Sequence, residues 1–302
     1  VSEQSSPATS QQLEPIDPGL AIGAVRLAVS DLARSVDFYE RVLGLPAISR
    51  EGAIATLGTD AARPALVLEQ LPRTAPLPVR STGLFHVAWL HPSRPALAET
   101  VHRIAHASWP LEGASDHGVS EAIYLADPDG LGIEIYADRP EEQWPVADDG
   151  SAVRMITVPL DVEDLLEQSS RELCEQIAPG TRIGHVHLKV SAVPRSVSFY
   201  RDVLGFSLRA EMPSAAFLAA DGYHHHIGAN SWQSAGAGPP PLDAPGVRLI
   251  EFALSSDDAL TALERSLTAA GADEAAVRAG AEQGARLSIA DPDAHALAFT
   301  AR

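Results

Sequence analysis

Two stretches of the chain place strict apolar alternation directly before a helical period. Residues 25–45 read VRLAVSDLARSVDFYERVLGL and residues 186–206 read VHLKVSAVPRSVSFYRDVLGF. Val25, Leu27 and Val29, like Val186, Leu188 and Val190, recur every second residue, the period of a strand with one apolar face. The period then lengthens. Val36, Tyr39, Val42 and Leu43, and Val197, Tyr200, Val203 and Leu204, share one face of a helix. Gly44 and Gly205 follow, where a helix stops on a residue that tolerates positive φ. More than half the positions match at a constant offset, so the chain contains an internal repeat.

The downstream segments repeat as well. GLFHVAWLHPSRPALAETVHRI (83–104) and VRLIEFALSSDDALTALERSLTAAG (247–271) each open a further strand and helix. Each half closes on a strand, an Asp-Pro-Asp turn and a strand: IYLADPDGLGIEIYAD (123–138) and LSIADPDAHALAFTAR (287–302). The pattern predicts an α+β protein of four βαβββ-like units, two in each half. The expected boundaries are a disordered polar lead at 1–19, an N-terminal domain at 20–140, a linker with a short helix at 141–180, and a C-terminal domain at 181–302.

Composition narrows the function classes. A length of 302 residues suits two domains. A net charge of −18, from 22 basic and 40 acidic residues, repels a phosphate backbone and argues against nucleic acid. No apolar run reaches the roughly 18 residues of a membrane helix. The lead has neither the basic start nor the apolar core of a signal peptide. The single cysteine, Cys174, excludes an intrachain disulfide and suits a reducing cytoplasm. Any metal site must then be built from histidines and carboxylates.

The opening SVDFYERVLGL and the units closing on DPDG…E resemble the vicinal oxygen chelate superfamily, which includes glyoxalase I, bleomycin-resistance proteins and extradiol ring-cleaving dioxygenases. More narrowly, GASDHGVSEAIYLADPDGLGIEIYADRP (113–140), RIGHVHLKV (182–190) and YHHHIGANSW (223–232) are similar to two-domain bacterial dioxygenases of the catechol-2,3 type. The resemblance implies that paired units form open, cup-shaped sheets. Polar side chains that interrupt the strands then become informative, since an unpaired buried charge is costly.

The second half has three such interruptions: His187 in VHLKV, Glu251 in RLIEFAL, and the run His224, His225, His226. Two imidazoles and a carboxylate make a facial set with open positions, suited to Fe(II) or Mn(II). The resemblance points to His187, His226 and Glu251 as ligands. Tyr223, His224 and His225 are the candidate catalytic residues, an imidazole taking a hydroxyl proton and returning one. Alternation sets His224 on the face of His226 and His225 on the other; a one-residue shift would exchange these roles.

The first half is incomplete in a complementary way. The resemblance places His86, Glu134 and Glu69 at or near ligand positions, and the run from His117 through Tyr124 to Glu134 follows the extradiol signature except at Ser115. Arg26, however, stands where the second half has His187, and a guanidinium cannot ligate a cation. Ala298 in turn stands where the first half has Glu134. His185 shares the face of His187, as cup lining or as filling. His91, His102 and His106 read as solvated, and the Asp-Pro-Asp turns have a sufficient local explanation.

The resemblance implies an Fe(II)-dependent extradiol dioxygenase that cleaves a catechol-type diol with O₂. Two alternatives share the scaffold. One is a glyoxalase-like isomerase or lyase on Zn(II) or Ni(II); the other is a metal-free resistance protein that binds an aromatic compound or drug. The expected partners are a small aromatic diol and O₂, with room for a homodimer.

Overall fold

The structure, a computed structural model, describes residues 14–60, 63–146, 154, 156–170, 174–271 and 287–302. Most of the expected lead and part of the expected linker lie outside the described residues. The first unit comprises β1 (Ala21–Val29), α1 (Leu32–Arg41), β2 (Ala47–Glu51), β3 (Ile54–Asp60) and β4 (Arg63–Gln70). The second comprises β5 (Gly83–Leu90), α2 (Arg94–His106), β6 (Gly113–Asp116), β7 (Ser120–Ala126) and β8 (Gly132–Asp138). A short β9 (Val158–Pro159) and α3 (Val162–Glu167) lead to the third unit. That unit holds β10 (Arg182–Lys189), α4 (Val193–Asp202), β11 (Ser207–Met212), β12 (Ala215–Ala219) and β13 (Ile227–Asn230). The fourth holds β14 (Gly246–Leu254), α5 (Asp257–Ala269), β15 (Leu287–Ala290) and β16 (Ala296–Ala301).

Local chemistry sets the element ends. The Asp31 carboxylate caps α1 by accepting from the Arg34 backbone N–H at 3.0 Å. Gly44 follows at φ +75°, where a side chain would be strained and would meet the Ile177 backbone. Leu32, Val36, Phe38 and Tyr39 form the buried stripe of α1, and Val193, Val197 and Tyr200 form that of α4. Both stripes join the apolar core with Val25, Leu27, Val186 and Leu188.

Strand pairing does not follow the two halves. One sheet runs β15-β16-β14-β1-β4-β3-β2, the other β11-β12-β13-β10-β5-β8-β7-β6-β9. The first unit is thus joined to the fourth through antiparallel β1 and β14, and the second to the third through antiparallel β5 and β10. Each sheet takes one unit from each half. This exchange decides which side chains meet.

The Asp-Pro-Asp turns knit units of the same half together. Asp127 accepts from its own turn (Asp129 and Leu131 N–H, 2.8 and 2.9 Å) and from the Tyr39 hydroxyl at 3.3 Å. Asp291 repeats this with Asp293 N–H, His295 N–H and the Tyr200 hydroxyl at 3.1 Å. Asp129 and Asp293 bind Arg34 and Arg195 at 2.6 and 2.8 Å. The tyrosine of each repeated FY motif therefore has a defined partner, and these carboxylates act structurally.

His91, expected at the surface, is buried at 2% exposure. It donates from Nδ1 to the Trp89 carbonyl at 3.2 Å and accepts at Nε2 from Thr100 at 2.9 Å. The residue closes β5 just before α2, and the helix covers it. Burial pushes its pKa down to about 4, outweighing its hydrogen bonds. The unfolded chain protonates this ring near pH 6.5 and the native protein only near 4, so stability falls as pH drops through that window, by up to about 3 kcal/mol. We expect His91→Gln to flatten this part of the pH–stability curve, measured by urea unfolding between pH 7 and 4. Parallel curves for the two proteins would refute the assignment. Among the described residues no helix is long and apolar enough to cross a membrane.

Candidate metal centre

The junction of the second and third units brings together three polar side chains from three adjacent strands. His187 on β10 lies opposite His86 on β5, and Ala88 on β5 lies beside Glu134 on β8. Two residues before His187, with the same strand parity, is His185. Gly132, beside His86, lets β8 come close; a Cβ there would collide with the Phe85 carbonyl.

His86 Nε2 and His185 Nε2 approach the same carboxylate oxygen, Glu134 Oε2, at 3.0 and 3.3 Å. All three side chains are buried, and their ligand atoms lie within 4.8 Å of one another. Burial alone would raise the Glu134 carboxyl, but His185 and His86 hold it well below the usual carboxylate range. Burial brings His185 down to about 4 against the pull of Glu134. An ionised carboxylate beside a neutral imidazole is the protonation state a cation requires. The geometry agrees: His86 Nε2, although close to Glu134, is not aligned for a hydrogen bond and has no partner. A buried nitrogen left in that condition is costly unless something else takes its lone pair. The residues fit a divalent metal.

The cluster borders a cavity of about 320 Å³ whose wall includes Phe85, Phe217 and Trp232. Further polar groups line it, among them His117, Tyr124, His187 and His225. His117 Nδ1 donates to the Ile156 carbonyl at 3.0 Å, which leaves Nε2 to accept from the Tyr124 hydroxyl at 2.7 Å. Behind His225 runs a second chain of bonds. His224 Nε2 lies 3.0 Å from Asp138 Oδ1, and His224 Nδ1 lies 2.7 Å from His225 Nδ1. With Asp138 ionised, His224 donates to it from Nε2 and must accept at Nδ1. His225 then carries its hydrogen on Nδ1, and its Nε2 is an unprotonated acceptor. Burial keeps this ring neutral, pushing its pKa well below the ordinary value.

The expected ligand set is dispersed by the fold. His187 reaches the cavity, with its ring 5.0 Å from that of His86 and its Nε2 unpartnered. His226 faces a separate cavity with Arg182 and Asp221, its Nδ1 accepting from the Ala220 N–H at 3.2 Å. Glu251 belongs to the other sheet, half-buried near Arg26. The histidine run lies in the bend before β13 and not on a strand, so strand alternation does not apply to it: His224 and His225 turn toward each other, His225 lines the cavity, and His226 lies apart. Tyr223 supports the site, its hydroxyl bonded to Tyr136 and Asp138 at 2.8 and 3.0 Å. Of the first-half candidates, His86 and Glu134 join the cluster, while Glu69 pairs with Arg26 at 3.7 Å in the other sheet.

Register explains why only one sheet carries the cluster. In the seven-stranded sheet Arg26 pairs with Leu249 and Glu251 with Ala298, matching His187 with His86 and Ala88 with Glu134. Leu249, Ala298 and Ala24 thus occupy the places of His86, Glu134 and His185. Leu249 and Ala298 form a small apolar cluster instead.

Fold and sequence together place the chain in a family. Residues 21–135 and 182–299 match the profile of the Glyoxalase/Bleomycin resistance protein/Dioxygenase superfamily, and the chain belongs to it. Among individual proteins it is 40% identical to the catechol-2,3-dioxygenase of Bacillus subtilis (strain 168) over 253 residues, 83% of this chain and 88% of that one. Its fold also resembles a crystal structure from Bacillus subtilis subsp. subtilis str. 168, with TM-score 0.64 and 13% identity over 95% of this chain and 86% of that one. Glyoxalase I from Zea mays has the same fold, with TM-score 0.54 and 14% identity over 93% and 92%.

Proposed function

We propose that the protein is an extradiol dioxygenase that opens a catechol-type ring with O₂, using iron(II) held by His86, His185 and Glu134. One observation carries the reading: these three groups converge at an aromatic-walled cavity of about 320 Å³, the size class of a small-molecule site. The 40% identity to a catechol-2,3-dioxygenase supports the substrate class. Iron(II) held by these three residues would supply Lewis acidity and one-electron redox chemistry at the cavity wall.

The chain's own groups supply the rest. Phe85, Phe217 and Trp232 exclude water and hold the ring. His225 Nε2 takes a hydroxyl proton, and the His224–Asp138 pair behind it stabilises the charge that results. The Tyr124 hydroxyl, fixed by giving its proton to His117 Nε2, leaves its oxygen to accept from a substrate hydroxyl, and burial raises its pKa so that it stays neutral. His187, whose Nε2 has no hydrogen-bond partner among the described residues, adds a further imidazole to the cavity wall. His226 and Glu251 have no part in this arrangement.

The test is metal analysis of anaerobically purified protein followed by an oxygen-electrode assay with catechol. We expect retained iron and O₂ consumption with a ring-opened product. An iron-loaded protein that consumes no O₂ with catechol or substituted catechols, yet isomerises a hemithioacetal when loaded with zinc or nickel, would overturn the reading.

A further inference from the structure

A second cavity, of about 400 Å³, lies away from the metal cluster, where the end of β10, the start of β5 and the start of β14 meet the 239–246 segment. Its wall includes Leu77, Leu84, Leu131 and Pro240, together with two cations, Lys189 and Arg248. Lys189 is 8% exposed and has no hydrogen-bond or ion-pair partner among the described residues. Its stem is buried while the ammonium reaches the cavity, partly withdrawn from water and without a counter-charge.

The carboxylates nearby are already engaged. Asp293, also in the wall, accepts from Arg195 at 2.8 Å and from the Ser191 N–H at 3.0 Å. Asp291 is bound to His295 at 2.8 Å and to Tyr200. Arg248 donates to the carbonyls of Leu242 and Ala244 at 2.8 and 2.6 Å, which fixes its position without neutralising it. Glu69 acts on Arg248 but is paired with Arg26. Two cations therefore border an apolar chamber in a chain whose overall charge is −18. This local reversal of sign is what an anion site needs.

We propose that this cavity is a second ligand site, for a small carboxylate with an apolar body. Lys189 binds the carboxylate, Arg248 adds its field, and the leucine and proline wall takes the apolar part. The first unit has Ala28 at the position matching Lys189, two residues after Arg26 as Lys189 is two after His187, so the repeat does not account for the lysine. Nor does the metal cluster, whose residues do not border this chamber.

Benzoate is a suitable probe, titrated calorimetrically into the metal-loaded full chain. We expect saturable binding at millimolar concentration, weakened at least about tenfold by Lys189→Met, as for loss of a charged hydrogen bond. Leu242→Asp, at a rim residue that is 86% exposed and so compatible with folding, should weaken binding by adding a like charge. Glu134→Gln, which alters only the metal cluster, should leave benzoate binding intact. Three results would each overturn the proposal: no binding at millimolar benzoate, equal affinity in the wild type and both cavity variants, or loss of binding in Glu134→Gln. The last would place the probe on the metal instead. None of these outcomes bears on the dioxygenase reading, which is tested by O₂ uptake.

Discussion

Glu134→Gln should leave a folded protein that no longer retains its metal and no longer consumes O₂ with catechol. Glu134 is the one anion of the cluster, and its Oε2 is the atom that both His86 and His185 approach. The amide keeps the shape and one acceptor but removes the charge. In a buried site, that charge is the main attraction for a divalent cation, since the two imidazoles contribute none. Outer partners of metal ligands cost about 10–100-fold in affinity when removed, and a direct ligand should cost more. Folding should survive, because the amide keeps the size and one acceptor of the buried carboxylate, and what is lost is the pairing with His185 and His86 that holds Glu134 ionised. The measurement is iron content after gel filtration, with thermal unfolding as the control. Iron retained at the wild-type level, with turnover intact, would place the centre elsewhere.

The corresponding change at Glu251 gives the contrast. Glu251 lies in the seven-stranded sheet near Arg26, so Glu251→Gln should alter neither iron content nor turnover. These two glutamates separate what sequence could and could not settle. Strand and helix periods, the FY…VLG helix stops and the four units were all legible, because each depends on neighbours within a few residues. The metal trio was partly legible: the resemblance put His86 and Glu134 at ligand positions and alternation put His185 on the face of His187, while the polar interruptions of the second half pointed to His187, His226 and Glu251 instead. Which unit joins which was not legible, because β5 meeting β10 is a contact across about a hundred residues with no local signature. A usable signal was nevertheless present. One half lacked the opening-strand histidine, having Arg26, and the other lacked the closing carboxylate, having Ala298. Two incomplete sets that complement each other are what a site shared between the halves leaves in sequence. Within YHHHIGANSW the strand assumption misled: the three histidines precede β13 in a bend, where His224 and His225 meet side by side.

The second large effect is expected within that run. His225→Ala should lower turnover by roughly 10²–10⁴-fold, the range for a lost general base, while iron content stays unchanged. The reasoning begins at Asp138, whose carboxylate fixes the His224 hydrogen on Nε2. His224 then accepts from His225 across 2.7 Å, and His225 presents a bare Nε2 to the cavity. The same chain predicts a graded series. His224→Ala leaves the imidazole of His225 in place but frees its tautomer and removes its support, so it should cost turnover less than His225→Ala and more than Lys189→Met. A ligand role for His225 would instead make iron fall in step with turnover. A packing role would make thermal stability fall while the turnover of the folded fraction held. Full turnover in His225→Ala would show that another group, with His187 the nearest candidate, takes the substrate proton.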